Sequence, residues 1–142
     1  MNRIVVGIDG SDQAVTALEW ALDEGRLRGA DVEVIHAFVL FPDLSELGAL
    51  TEEPDMVIQA EELLRKTVEP MVAARPGVHV TTRAVQGPPA RTLLDAAADA
   101  DLLVVGSRGR GGFAGLMLGS VSQQCVHHAP CPVVVVPSSQ HT

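Results

Sequence analysis

Short apolar runs alternate along this chain with longer stretches in which apolar residues recur at the spacing of a helix. The apolar runs, several of them rich in valine, predict five strands, at residues 3–9, 31–38, 78–86, 101–106 and 132–137. The stretches with the helical period predict four helices, at residues 12–29, 54–74, 87–100 and 119–129. This alternation is typical of an α/β fold, here a doubly wound, five-stranded parallel sheet with helices on both faces.

Local signals mark several element boundaries. Ser11 can cap the first helix, and Gly29 can end it. Residues 39–53 contain Pro42 and Gly48 and have no sustained period, so we expect a variable loop there. In open parallel sheets, ligands bind beyond the carboxyl ends of the strands, where the strand order reverses. The loops that follow the first and fourth strands are therefore expected to form two walls of one crevice.

The composition narrows the range of functions. With 142 residues, the chain is long enough for one domain, residues 1–142, with a buried core. The net charge is −8, and the few basic residues form no block, which argues against binding of nucleic acid. We find no signal peptide and no apolar run of about 20 residues that would span a membrane. Two cysteines suit a reducing compartment, so a cytoplasmic protein without membrane contact is expected.

A glycine-punctuated segment between the fourth strand and the fourth helix carries the clearest chemical signal. Gly106, Gly109 and Gly119 lie in it, and Ser120 and Ser122 follow at the start of the helix. Glycines let backbone N–H groups converge on an anion, and a helix N-terminus adds unpaired donors and a partial positive charge. The pattern is therefore typical of phosphate binding. A flexible surface loop that happens to precede a helix is the alternative.

Other phosphate, metal and catalytic motifs fit less well. A Walker A loop requires a lysine after its second glycine, but the sole lysine, Lys66, lies in the second predicted helix. Residues 109–114 match a loose dinucleotide pattern, but they follow the wrong strand and lack the acidic residue that binds a ribose. The cysteines and histidines of residues 125–131 do not have the spacing of a zinc site. No catalytic set can be assembled, so neither a metal ligand nor a catalytic residue is assigned.

The full spacing of the glycine segment is more specific than its composition. The chain matches the pattern Gly-x2-Gly-x9-Gly-Ser/Thr at Gly106, Gly109, Gly119 and Ser120. In this motif it resembles the ATP-binding subgroup of the universal stress protein family. The resemblance extends over nearly the whole chain, including residues 4–11, His36 and residues 130–137. It implies the adenine nucleotide α-hydrolase-like, Rossmann-like version of the fold.

The resemblance also implies a ligand, ATP accompanied by Mg²⁺, lying across the crevice. Asp9 would then face the ribose hydroxyls, and Ala37 would offer backbone groups to the adenine edge. Val105 and Gly106 would line the nucleoside wall. The phosphates would be held through N–H and hydroxyl groups of Gly109, Gly119, Ser120, Val121 and Ser122.

Each of these roles competes with a purely structural one. Asp9 could only cap the turn that precedes the first helix, and Ser120 could only cap the fourth helix. His36 is interpreted as a buried histidine with a satisfied hydrogen bond. These alternatives stay open at the level of sequence.

The resulting functional interpretation is a nucleotide-responsive regulatory protein of the stress response. Binding of ATP would order residues 106–119 and change the surface that partners meet. A slow ATPase or phosphotransfer enzyme is an alternative, although no lysine or base is evident near the phosphates. A nucleotide-free scaffold is a further one.

The last predicted strand suggests an assembly. Val133–Val136 is apolar and, if it lies at the sheet edge, has one row of unpaired backbone groups that invites a second copy. The resemblance likewise implies a homodimer through this strand, whereas an ordinary covered sheet edge is the alternative. Proline at Val134 is predicted to remove a donor that crosses the interface, with Val135 as the control position.

Overall fold

The protein is described from a computed structural model that covers residues 2–39, 53–107 and 119–137. Most of the predicted variable loop, residues 40–52, lies outside the described residues. So do residues 108–118 of the glycine segment, including Gly109, and the polar tail at residues 138–142. In the described part of the chain, no helix has both the length and the apolar character needed to cross a bilayer.

Strands and helices alternate as predicted. In chain order they are β1 (Arg3–Ile8), α1 (Asp12–Arg28), β2 (Asp31–Phe38), α2 (Glu53–Ala73), β3 (Val80–Gln86), α3 (Pro89–Ala96), β4 (Leu102–Gly106), α4 (Ser120–His128) and β5 (Val133–Val136). The boundary signals of α1 are confirmed. The Ser11 hydroxyl accepts a hydrogen bond from the Ala14 N–H, and Gly29 ends the helix with a φ of 67°.

The largest departure from the predicted boundaries is at α3. This helix was expected to run to residue 100, but it ends at Ala96 and is followed by a 3₁₀ turn over Ala97–Asp99. The Ala100 N–H donates to the Ala97 carbonyl at 3.0 Å, which tightens the last turn and brings the chain back into β4. Helical spacing alone could not distinguish the two kinds of turn.

The five strands form one parallel sheet in the order β3-β2-β1-β4-β5. The fold class predicted from sequence is therefore confirmed. The strand order reverses between β1 and β4, and this reversal places the loops after these two strands side by side. The two strands whose loops are expected to form the crevice are therefore neighbours in the sheet.

The core has two parts, one on each face of the sheet. On one face, α1 and α2 pack against residues such as Val6 and Val104, and both of these side chains are fully buried. On the other face, α3 and α4 pack against the fully buried Val5 and Leu103. Successive strand residues thus point to opposite helical layers, which explains why the strands read as continuous apolar runs.

Close packing between α1 and β2 depends on Gly25. A β-carbon at this position would lie 2.5 Å from Val32 Cγ2 and 3.1 Å from the Ala30 carbonyl oxygen. Replacing an exposed helical glycine by alanine normally stabilises a helix by about 1 kcal/mol. Here the added methyl group would force the helix away from the sheet.

We therefore expect Gly25→Ala to lower the free energy of unfolding by about 1–3 kcal/mol, the usual cost of overpacking a core. Urea denaturation followed by circular dichroism measures this free energy for the variant and the wild type. Arg26→Ala, at the exposed neighbouring position, should change stability by less than about 0.5 kcal/mol. A Gly25→Ala protein as stable as the wild type would contradict this account of the packing.

The Asp101 side chain links the amino end of β1 to the start of β4 through hydrogen bonds. Its Oδ2 accepts hydrogen bonds from the Asn2 and Arg3 N–H groups at 2.7 and 3.0 Å. These two bonds hold the pKa of the Asp101 carboxyl below its ordinary value. A lowered pKa in the folded state means that the charged form stabilises the fold at neutral pH and that this stabilisation is lost as the pH falls through that pKa.

Asp101→Asn should accordingly lower the melting temperature at pH 7, and the difference from wild type should shrink below about pH 4, where carboxylates gain protons. Melting curves recorded between pH 2.5 and pH 7 test this. Asp95→Asn, at an exposed position on α3, serves as the control. A difference from wild type that does not depend on pH would exclude the ionised carboxylate as its cause.

The edge strand β5 has a defined hydrogen-bonding side. The Leu103 N–H donates to the Pro132 carbonyl, and the Ser107 N–H donates to the Val136 carbonyl. In a parallel strand, the backbone N–H and C=O groups of every second residue face the same neighbouring strand. The backbone groups of Val134 therefore face β4, as those of residues 132 and 136 do, and the N–H groups of Val133 and Val135 face the free edge. The roles predicted for the two proline variants are therefore reversed: position 135, and not position 134, has its N–H at the open edge.

Candidate functional site

The candidate site lies at the carboxyl edge of the sheet, where the order reverses. The last pair of β1 and β2 is Ile8 with His36, and Asp9 and Ala37 are the residues that directly follow this pair. The pairing of β1 with β4 ends at Val6 and Val104, three residues before Asp9 and Ser107. Because β1 lies between β2 and β4 in the sheet, Asp9 follows the strand that separates the ends of these two.

Asp9 opens the turn between β1 and α1. Its Oδ1 accepts hydrogen bonds from the Ser11 N–H at 2.9 Å and from the Ser11 hydroxyl at 2.6 Å. Gly10 between them has a φ of 87°, a conformation that favours glycine. The structural role considered for Asp9 is therefore present, because its carboxylate shapes this turn. A ribose-binding role for the same carboxylate stays a prediction.

The end of β2 supplies a histidine and a backbone acceptor. His36 is half-buried, less than expected, and its Nδ1 lies 3.1 Å from the Ile8 carbonyl oxygen. Since a carbonyl only accepts, Nδ1 carries the proton in this contact. The Asp31 N–H donates to the Asn2 carbonyl, so the odd-numbered residues of β2 face β1. The carbonyl of Ala37 is thereby directed towards the space beside the Asp9 turn.

The end of β4 provides the opposite wall. The Val105 side chain is 3% exposed and belongs to the core beneath α3 and α4, so only its backbone can reach a ligand. Gly106 ends the strand and pairs with Val136. Ser107 follows, and its hydroxyl lies 3.4 Å from Gln13 Oε1 in the first turn of α1. The first turn of α1 and the residue that follows β4 therefore meet in the folded protein.

The first turn of α4 has the features of an anion-binding helix start. Gly119 is the N-cap, and no side chain caps this helix among the residues described. Ser120 is the first helical residue and is exposed, so the alternative in which Ser120 caps α4 is wrong. The N–H groups of a first helical turn have no partner within the helix. Together with the exposed Ser120 hydroxyl, they offer donors to a phosphate group.

Ser122 differs from the other predicted ligands. Its side chain is 2% exposed, and its hydroxyl lies 2.9 Å from the Ser107 carbonyl and 3.1 Å from the Gly119 carbonyl. The hydroxyl is therefore engaged with the backbone on both sides of the glycine segment. Val121 is half-buried and packs against the core beneath α4, so its N–H is the group available to a ligand.

Sequence reasoning did not select Ser107 or Gln13, although both lie at this site. Ser107 directly follows the first glycine of the motif, and that position is a signal that could have identified it. Gln13 carries no such signal, because its proximity to Ser107 depends on α1 and β4 meeting in three dimensions.

The cysteine and histidine group near the end of α4 lies elsewhere. Cys125 is fully buried, and burial raises the pKa of its thiol to about 11. Burial and the nearby Asp101 carboxylate also raise the pKa of the Cys131 thiol. Both thiols are therefore protonated at neutral pH. In the ranges that the structure describes, no group of three or more His, Cys, Asp or Glu residues is arranged to hold a metal ion.

Comparison with known proteins identifies the family. The family model described as "Universal stress protein family" matches residues 1–137. A universal stress protein of Mycolicibacterium smegmatis is 38% identical over 133 residues, which cover 94% of this chain and 45% of that protein. The chain thus spans about half the length of the curated relatives it matches.

Solved structures agree with this result. One, a universal stress protein in complex with cAMP, is 28% identical with a TM-score of 0.72, and the match covers 97% of this chain and 98% of that one. A universal stress protein from Archaeoglobus fulgidus in complex with dAMP is 26% identical with a TM-score of 0.70, over 96% and 98% of the two chains. The chain described here belongs to the universal stress protein family.

Proposed function

We propose that this protein binds an adenine nucleotide, ATP, across the carboxyl edge of the sheet and acts as a nucleotide-responsive regulatory module in the stress response. The observation that carries the proposal is the start of α4, which no described side chain caps and which is held against the end of β4 at the reversal of strand order. Two related structures, at 28% and 26% identity, contain cAMP and dAMP, which is consistent with an adenine nucleotide here.

The nucleoside would lie across the end of β1, beside Asp9. The Asp9 carboxylate would accept hydrogen bonds from the ribose hydroxyls, and it can do so while keeping its bonds to Ser11, because a carboxylate has about four acceptor sites. The Ala37 carbonyl would accept from the adenine amino group. The backbone of Val105 and Gly106 would form the wall opposite β2.

The phosphates would lie at the start of α4. The N–H groups of its first turn and the Ser120 hydroxyl would donate to phosphate oxygens, and the positive end of the helix dipole would favour their charge. Gly109, outside the described residues, is assigned to the same role from the motif. Mg²⁺ would accompany the phosphates, and a hydroxyl such as that of Ser120 is an oxygen ligand that suits it.

For the protein to act as a regulator, binding of the nucleotide must change a surface that a partner contacts. The Ser107 N–H donates to the Val136 carbonyl at 2.9 Å, so the base of the phosphate site is bonded directly to edge strand β5. We propose that β5 pairs antiparallel with its counterpart in a second copy and that the nucleotide modulates this pairing.

A single domain over residues 1–142 and a cytoplasmic location remain predictions.

Binding is tested on the wild-type protein. Perchloric-acid extracts of purified protein should contain ATP by mass spectrometry, or the stripped protein should bind ATP with Mg²⁺ by calorimetry. Adenosine, which lacks phosphates, should bind more weakly. Protein that extracts without nucleotide and does not bind ATP would favour the scaffold alternative.

Catalysis is the competing function, and we expect little of it. Turnover of ATP should be far below ~1 s⁻¹, the lower end for typical enzymes, since the described residues assigned to the phosphates include no carboxylate or imidazole that could activate water. Release of phosphate from stoichiometric protein and ATP measures the rate. A turnover near that value, lost in Ser120→Ala while ATP still binds, would establish the enzyme instead.

A further inference from the structure

Ser122 has a polar side chain that is buried in the first turn of α4. Among the described residues it is the one polar or charged side chain that is buried, at 2% exposure. A buried hydroxyl without a partner would be costly, but this one contacts the Ser107 and Gly119 carbonyls. Its single proton is shared between them, and the contact with Ser107 is the shorter.

The two carbonyls belong to the residues that flank the glycine segment. Ser107 precedes residues 108–118, and Gly119 follows them. The Ser107 carbonyl also accepts the Gly119 N–H at 2.8 Å. Ser107 is therefore bound to Gly119 directly and also through the Ser122 hydroxyl, so that hydrogen bonds join the two flanks of the segment.

We propose that Ser122 is a positioning residue that closes the base of the glycine segment, and that its hydroxyl is not a phosphate ligand. The hydroxyl holds Ser107 and the N-cap of α4 together before a nucleotide arrives. The N–H groups of the α4 first turn are thereby presented at a fixed distance from the end of β4. Preorganisation of this kind raises affinity by reducing the ordering that binding requires.

The inference concerns the site of the proposed nucleotide-binding function and rests on that function for its biological meaning. The clamp, meaning the contacts of Ser122 and Gly119 with Ser107, consists of bonds within the protein. It can therefore be tested separately from nucleotide binding.

The test uses a matched pair of variants, Ser122→Thr and Ser122→Val. Threonine and valine have nearly the same shape, so both add the same bulk to this buried position, but only threonine keeps a hydroxyl. Ser122→Ala is a third variant that adds no bulk. Amide hydrogen exchange at Gly119, measured by NMR on nucleotide-free protein, reports whether its bond to Ser107 opens. The Val104 amide in the core of β4 is the internal reference.

We expect Gly119 exchange to be about three- to tenfold faster in the Val and Ala variants than in wild type, as loss of one net hydrogen bond would give. The Thr variant should restore slow exchange, and exchange at Val104 should not change. Equal Gly119 exchange in the Thr and Val variants would overturn the proposal. So would a parallel increase at Val104, because Ser122 would then only stabilise the fold as a whole.

Calorimetry with ATP and Mg²⁺ completes the test. If the clamp preorganises the site, ATP should bind about tenfold more weakly to Ser122→Val than to Ser122→Thr. A loss of ATP affinity in Ser122→Val with unchanged Gly119 exchange would make the hydroxyl a direct phosphate ligand and overturn the clamp. A third outcome is also possible: Gly119 exchange changes as expected, but neither the wild type nor any variant binds nucleotide. This result would support the clamp and would refute only the proposed nucleotide-binding function.

Discussion

Gly119→Val is expected to abolish nucleotide binding and leave the fold intact. Gly119 has φ −68° and ψ 166°, an extended conformation that valine also adopts, so the backbone does not require glycine there. We attribute the glycine to close approach of a phosphate to the first turn of α4. A branched side chain at the N-cap would keep phosphate oxygens away from at least two N–H donors. At about 1.5–3 kcal/mol for each charge-assisted bond, affinity should fall by at least about 100-fold.

Calorimetry with ATP and Mg²⁺ measures this loss. The matched control is Gln123→Val, which adds the same side chain at an exposed position one turn further along α4 and should bind ATP as wild type does. Melting curves of both variants verify folding, and valine as N-cap should cost no more than about 1 kcal/mol. Unchanged affinity in a folded Gly119→Val protein would refute the phosphate position proposed here.

Val135→Pro should convert a homodimer into monomers without unfolding them. The Val135 N–H faces the open edge of β5, and proline removes that donor and places its ring where a partner strand would approach. Proline is tolerated at such an edge position because no bond within the subunit is lost. Light scattering at micromolar concentration should show a mass that falls from two copies to one.

Val134→Pro is the matched comparison on the same strand. Its N–H faces β4, so proline there would remove a hydrogen bond within the sheet and lower the melting temperature. Loss of assembly without loss of stability is expected only at position 135. A monomeric wild-type protein, or a dimeric Val135→Pro variant, would exclude assembly through β5.

The sequence determined the order and type of the elements. Strands β1 and β2 and helix α1 were predicted to within one residue, because valine-rich runs, helical spacing and the Ser11 and Gly29 signals all act over short distances along the chain. The parallel, doubly wound sheet followed from the alternation of strands and helices. The glycine spacing indicated phosphate binding because the motif is contiguous in sequence.

The tertiary structure alone decided how groups distant in sequence meet. It turned the Val135 N–H to the free edge and the Val134 N–H to β4, since this direction depends on register with a neighbouring strand. It made Gly119 the N-cap in place of Ser120 and buried the Ser122 hydroxyl against Ser107. Residue type gives a side chain its hydrogen-bonding capacity, but only packing decides whether that capacity is used inside the protein or is available to a ligand.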